Sequence, residues 1–180
     1  MLILGADYGT KGAFAIIDTE REQQWVLDMP MSGGQVDVTA IQKWLETVAA
    51  GKSGEHKLGH RLDHIYIEDV NSAGPGAGKT GLLKQGKNIG RAEAVLILFA
   101  NKWGIPFHPI SPQRWKRHQG LWGKDKSGSV DKAIQRFPDC AGLVRVPWGK
   151  KFVDKDGRAE ALLIADYGHM ELKKEAIKNG

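Results

Sequence analysis

Four carboxylates carry most of the chemical potential of this chain: Asp7, Glu68, Asp156 and Glu160. Asp7 closes the apolar run Leu2-Ile3-Leu4-Gly5-Ala6, and Glu68 closes His64-Ile65-Tyr66-Ile67. Asp156 and Glu160 open the segment that continues Ala161-Leu162-Leu163, and their i, i+4 spacing places them on one helical face. A carboxylate at the end of a buried strand is costly unless it meets solvent or belongs to a site. Several carboxylates brought to one point make a hard-oxygen cage suited to Mg²⁺. The surrounding elements decide whether these four meet.

Hydrophobic patterning predicts strands over 2–7, 11–18 and 23–29, with short turns that favour an antiparallel meander. Asp37 caps a helix carrying Ile41, Trp44, Leu45 and Val48 at helical spacing. A polar loop, Gly51 to Arg61, leads to a fourth strand over 64–69. Asn71 to Gly81, with four glycines and a proline, reads as an exposed loop without an aromatic ring. A helix ending near Trp103-Gly104 follows, then a fifth strand over 105–110. Ser111-Pro112 starts a short helix through Trp115. Residues 119–128 read as a loop, Val130 to Phe137 as a helix stopped by Pro138, and 139–155 as irregular. A last helix begins at Asp156. This order predicts an α/β fold, a five-stranded mixed sheet flanked by helices, in one domain over 1–180. In it the ends of the first and fourth strands are neighbours, so Asp7 and Glu68 adjoin, and the last helix can bring Asp156 and Glu160 to them.

The 180 residues suffice for one domain with a real core. Hydrophobic content of 41% places the chain among globular proteins. The single cysteine, Cys140, excludes a disulfide framework and a Cys-type zinc site and fits a reducing compartment. No basic-then-apolar leader opens the chain and no run is long enough to span a membrane, so no membrane association is expected. Net charge is +5. Between residues 71 and 124 lie Lys79, Lys84, Lys87, Arg91, Lys102, Arg114, Lys116, Arg117 and Lys124, against one acid, Glu93. Trp103, Trp115 and Trp122 are interleaved with them. Such a segment beside acidic site candidates points to a polyanionic substrate; a solvated basic face over core tryptophans is the plainer alternative.

The ordered segments resemble RuvC-type Holliday-junction resolvases, of the ribonuclease H-like fold, in particular divergent phage-encoded members. Gly5-Ala6-Asp7-Tyr8-Gly9-Thr10 is similar to that family's opening strand with its first catalytic aspartate. Tyr66-Ile67-Glu68-Asp69-Val70 is similar to the strand with its catalytic glutamate. Leu82 to Arg91 looks like the start of its dimer helix, and Ala159-Glu160-Ala161-Leu162-Leu163-Ile164-Ala165 like its acidic last helix. The family usually has Asp where Glu160 stands, and an acid or His three residues earlier, where this chain has Gly157 preceded by Asp156.

The resemblance implies a Mg²⁺-dependent endonuclease, with Mn²⁺ substituting, that resolves four-way junctions and related three-way or flap DNA. It implies a homodimer, in the cytoplasm of a bacterial or phage-infected cell. Phosphodiester hydrolysis needs hydroxide near neutral pH and charge stabilisation on attacking and leaving oxygens, which two ions ~3.5–4 Å apart supply. Asp7, Glu68, Asp156 and Glu160 would be the metal ligands, and Lys116 and Lys124 catalytic cations. Lys79, Lys84, Lys87, Arg91, Arg114, Arg117 and Lys126 are candidate DNA contacts.

Three other readings compete. Ala73-Gly74-Pro75-Gly76-Ala77-Gly78-Lys79-Thr80 approximates a phosphate-binding P-loop after a strand, with Ala73 in place of the first glycine. Gly81, Gly86 and Gly90 weaken the helix it requires, and Leu162 to Asp166, its would-be second motif, continues a helix. Asp7-Tyr8-Gly9-Thr10-Lys11-Gly12 also resembles the phosphate turn of actin-like sugar kinases, which need two such lobes. A non-catalytic branched-DNA-binding module is the third. Of the remaining polar residues, Asp18 and Asp69 read as structural or solvent-facing, and Asp166 and Glu171 as a solvated helix face. His64, His108, His118 and His169 lack metal-ligand spacing; His118 is a candidate phosphate contact, and Cys140 a packing residue.

Overall fold

The structure is a computed structural model that describes residues 1–49, 62–69, 79–124, 127–149 and 151–179, and their side chains except those of 48, 49, 79–85 and 127. Strands β1 (Leu2–Asp7), β2 (Ala13–Asp18) and β3 (Gln23–Asp28) form the antiparallel meander. A small hairpin, β4 (Met31–Ser32) and β5 (Gln35–Val36), precedes α1 (Val38–Ala49). It turns on Gly33 and Gly34, with φ of +56° and +75°, a conformation that glycine pairs adopt without strain. Then come β6 (His64–Glu68), α2 (Lys79–Trp103) and β7 (Phe107–Ile110). The main sheet runs β3-β2-β1-β6-β7, with β1, β6 and β7 parallel. It is the five-stranded mixed sheet expected from the sequence.

The chain continues through α3 (Pro112–His118), α4 (Ser127–Arg136), a 3-10 turn at Pro138–Cys140 and α5 (Ala141–Val144). A second hairpin, β8 (Arg145–Trp148) and β9 (Lys151–Asp154), leads into α6 (Asp156–Asn179). The sequence therefore misled over 139–155, where the described residues form a 3-10 turn, a short helix and a hairpin rather than irregular chain. The hairpin gave no strand signal because Pro147 interrupts it and both faces are solvated, so no apolar alternation marks it. The caps were legible: Asp37 Oδ1 accepts from the Ala40 N–H at 3.0 Å, and Ser111 Oγ from the Arg114 N–H at 3.3 Å. The glycines near Lys79 do not prevent a helix there, since α2 starts at that residue.

Two apolar layers sandwich the sheet. Leu2, Leu4, Ala6, Phe14, Ile16, Ile65 and Ile67 face α1 and α2. Ile3, Ala13, Ala15, Ile17 and Tyr66 face the other way, onto α3, α4 and α6. Strand alternation sends Asp7 to the second side, with Ile3 and Gly5. Glu68 shares that side with Tyr66. Helix α6 lies across β1 at very close range: a Cβ on Gly5 would stand 2.1 Å from the Ala161 carbonyl oxygen and 2.5 Å from the Ala165 nitrogen. Gly157 and Gly168 serve the same approach, against the Lys11–Gly12 backbone and the Tyr66 ring. Because sheet, α3, α4 and α5 cover it, α6 is buried continuously from Ala161 to Gly168. That overturns the reading of Asp166 as solvated. It is buried, accepts from Gln119 Nε2 at 3.0 Å and pairs with Arg136 at 2.9 Å. Glu171, one helical turn further, is only partly exposed and pairs with Arg114 at 2.7 Å.

Candidate active site

The parallel register aligns Ala6 with Ile67, so the next residues, Asp7 and Glu68, stand side by side where β1 and β6 end. Both point to the α6 side of the sheet. Helix α6 begins over this edge, held there by Gly157 against the β1–β2 turn. One turn on, it delivers Glu160 to the same corner. Burial raises the Asp7 carboxyl to about 7, and the charges of Glu160 and then Glu68 push in the same direction. The Gly9 N–H, donating to Asp7 Oδ1 at 3.2 Å, and the Lys116 ammonium oppose them. Burial likewise raises Glu68, with Glu160 adding and Lys116 and Trp115 opposing. Asp7, Glu68, Glu160 and Lys116 thus feel one another directly.

Two neighbours fix these carboxylates. Trp115, fully buried in α3, donates its Nε1–H to Glu68 Oε2 at 2.8 Å. Ser129, buried at the start of α4, donates its Oγ–H to Glu160 Oε1 at 3.1 Å. Lys116 Nζ lies 3.2 Å from the same Glu160 oxygen. Sequence reasoning took Trp115 only as an aromatic among basic residues and passed over Ser129. The one local signal for Trp115 is its place beside Lys116; nothing local marks Ser129.

Asp156 lines a groove of about 330 Å³ between the β1–β2 turn and the start of α6, with Lys11, Asp28, Lys155 and Arg158. Asp28 and Arg158 close one wall as a two-pronged pair at 2.6 and 2.8 Å. Lys124 is exposed on the turn before α4. Lys87 and Arg91 are exposed on α2, and Arg91 donates to the Gln35 side chain. Arg117 is exposed, its guanidinium 5.4 Å from the Trp122 ring centre. Arg114 is engaged by Glu171, roughly 16 Å along α6 from Glu160 at 1.5 Å per residue, and so faces away from the carboxylates. The side chains of Lys79, Lys84 and Lys126 lie outside the described residues, as does most of the P-loop-like stretch. Its would-be second motif, Leu162 to Asp166, is helical. His118 meets the Tyr167 ring edge-on. Cys140 is buried, its thiol pushed up to about 11, and packs under α4.

The donor set suits a hard divalent cation. Three carboxylates share one corner with one lysine, an excess of negative charge that adds to burial, the larger cause, in lifting Asp7 towards the neutral acid. A cation would relieve this excess and keep the acids ionised. Among the described residues, no three His, Cys, Asp or Glu side chains surround a single point at ligating distance. The donors are of the right chemical type for a hard cation, but as the side chains stand they do not converge on one point, and Lys116 occupies the Glu160 oxygen.

Comparison with protein-family models finds no match, and no curated protein matches the sequence. Solved structures do match. Thermus thermophilus RuvC in complex with a Holliday junction substrate is 16% identical, with a TM-score of 0.58, over 94% of this chain and 96% of that one. A second Thermus thermophilus RuvC structure gives 16% and 0.53, over 95% and 97%. The yeast mitochondrial Holliday junction resolvase Ydc2 gives 16% and 0.52, over 91% and 75%. The fold is thus ribonuclease H-like, of the kind seen in RuvC.

Proposed function

We propose that this chain is a Mg²⁺-dependent, structure-selective DNA endonuclease that resolves four-way junctions by paired phosphodiester hydrolysis. The observation that carries the reading is the meeting of Asp7, Glu68 and Glu160 at one sheet edge with their negative charge only partly offset. A neighbour of the same fold whose complex contains a Holliday junction substrate supports it. Asp7, Glu68 and Glu160 would hold the metal, with Asp156 as a further candidate one helical turn earlier. When bound, divalent ions lower the pKa of the attacking water and offset charge on the attacking and leaving oxygens. Trp115 and Ser129 keep Glu68 and Glu160 oriented. Lys116, already at the site, would face the charge that develops on the phosphate. Lys87, Arg91 and Lys124 offer exposed cations for the DNA backbone, with Lys79, Lys84, Arg117 and Lys126 as candidates from the sequence.

Two matched nicks require two sites, which a C₂ dimer supplies on the symmetry axis of the junction. Helix α2 is the proposed interface. Ala92, Leu96, Phe99 and Ala100 bury its inner face, while Leu98 remains 68% exposed beside Ile97. The test is incubation of a synthetic four-way junction and a matched duplex with the protein and Mg²⁺. Symmetric nicks in the junction alone, absent with EDTA, are expected. Equal cutting of the duplex, or none of either, would defeat the reading.

A further inference from the structure

The β8–β9 hairpin carries the two most exposed aromatic rings among the described residues, Trp148 at 75% and Phe152 at 69%. Two large rings left in water on one hairpin mark it as a contact element rather than a packed one. The hairpin's base is firmly built. Arg145 donates to both Asp154 carboxylate oxygens, at 2.7 and 3.1 Å, and to Asp131 of α4 at 2.9 Å. The Lys155 N–H closes onto the Val144 carbonyl at 2.7 Å. Among the described residues, no side-chain hydrogen bond or ion pair braces the tip in the same way. Trp148 pairs with Lys151 and Pro147 with Phe152, so alternation puts Trp148 and Phe152 on opposite faces of the ribbon. A braced base with an aromatic ring on each face of a solvated tip is a projecting element rather than part of the core.

Its position ties it to the carboxylates. Lys155 alone separates β9 from α6, whose first turn leads to Glu160, and Gly157 rests on the turn that follows Asp7. Each strand is four residues long, so the tip stands about 13 Å from the hairpin's base, at 3.3 Å per residue. The chemistry on offer is a π face with a cation beside it: Lys151 lies directly across from Trp148, and Lys155 stands at the base. Nucleobases with a free face, next to phosphate, match that combination. A regular duplex hides its base faces in the stack; a branch point, a gap or a single strand does not.

We propose that the β8–β9 hairpin is a base-stacking element, in which Trp148 and Phe152 take up unstacked nucleobases at the branch point while Lys151 meets the adjoining phosphate. This rests on the branched-DNA reading above and names the feature of the DNA that this edge of the site recognises. The experiment compares wild type with Trp148→Ala, Phe152→Ala and the double variant in EDTA, so that cleavage is off. Binding is measured to a four-way junction carrying 2-aminopurine at the branch, to an oligothymidylate and to a matched duplex. The double variant should bind junction and single strand at least tenfold more weakly, change duplex affinity less than about twofold, and lose the 2-aminopurine signal. Trp148→Phe with Phe152→Tyr should restore all three readouts. Equal weakening on the duplex would overturn the proposal, as would unchanged binding to every DNA. So would loss of self-association with DNA binding intact, which would assign the rings to a second copy. Wild type that binds and cuts junctions alongside an equally competent double variant defeats the hairpin role only. Wild type that binds no branched DNA defeats the nuclease reading, and this proposal with it.

Discussion

Asp7 is held in conflict with its surroundings. Burial and the Glu160 and Glu68 charges raise its folded-state pKa from 3.8 to about 7. Between those values the native state binds more protons than the unfolded chain. Stability contributed by this group therefore falls as pH rises from about 4 to about 7. Asn has the shape of the protonated acid and still accepts from the Gly9 N–H. In metal-free buffer, Asp7→Asn should melt with the wild type near pH 4 and above it at pH 8, by on the order of 5 °C. Thermal scans across that range test this; a gap that does not widen with pH would refute the buried, repelled carboxylate. Much of this corner was readable in the sequence, because Asp7 and Glu68 each interrupt an apolar run at its end. Trp115 and Ser129 were not, since their bonds to Glu68 and Glu160 join residues 47 and 31 positions apart. Asp166 was misread for a related reason: its partners, Gln119 and Arg136, lie on elements that no local pattern places over α6.

At the level of elements, the site depends on how closely α6 approaches β1. Gly5 sits in the middle of β1 and leaves no room for a side chain against the Ala161 and Ala165 backbone. Those atoms belong to a helix fixed on all sides, so an added methyl must push the helix away. Gly5→Ala should cost about 2–4 kcal/mol and lower Tm by roughly 5–12 °C. It should also displace Glu160 from Asp7 and depress any metal-dependent activity beyond the loss of folded protein. Calorimetry beside an activity assay normalised to folded fraction checks both; a neutral substitution would mean that α6 lies further out. The sheet itself was legible, strand by strand, because its apolar runs are bounded by glycines and charged turns. The two small hairpins were not. Met31-Ser32 and Gln35-Val36 are too short to carry a period, and Pro147 breaks the pattern of β8.

At the level of the whole molecule, the two helical layers do different work. The α3, α4 and α6 side carries the carboxylates. The α1 and α2 side buries one face of α2 and leaves Ile97, Leu98 and Trp103 open beside a groove of about 200 Å³ lined by Val95, Phe99 and Glu46. The sequence pointed to this surplus, since the run from Ala92 to Ala100 is apolar nearly all round. Pairing of two copies through that face is expected in sedimentation at micromolar concentration, and Leu98→Glu should shift the population to monomer without unfolding it. A monomeric wild type, with and without junction, would remove the paired-nick scheme. The central claim, that Asp7, Glu68 and Glu160 form a metal-dependent nuclease centre, has a more direct test. Single-turnover cleavage of a four-way junction in Mg²⁺ is measured for wild type, Asp7→Asn, Glu68→Gln and Glu160→Gln, beside binding of the same DNA in EDTA. Cleavage should fall to background in all three variants while binding stays within a few-fold of wild type. Cleavage at near wild-type rate by Asp7→Asn or Glu68→Gln would contradict the account.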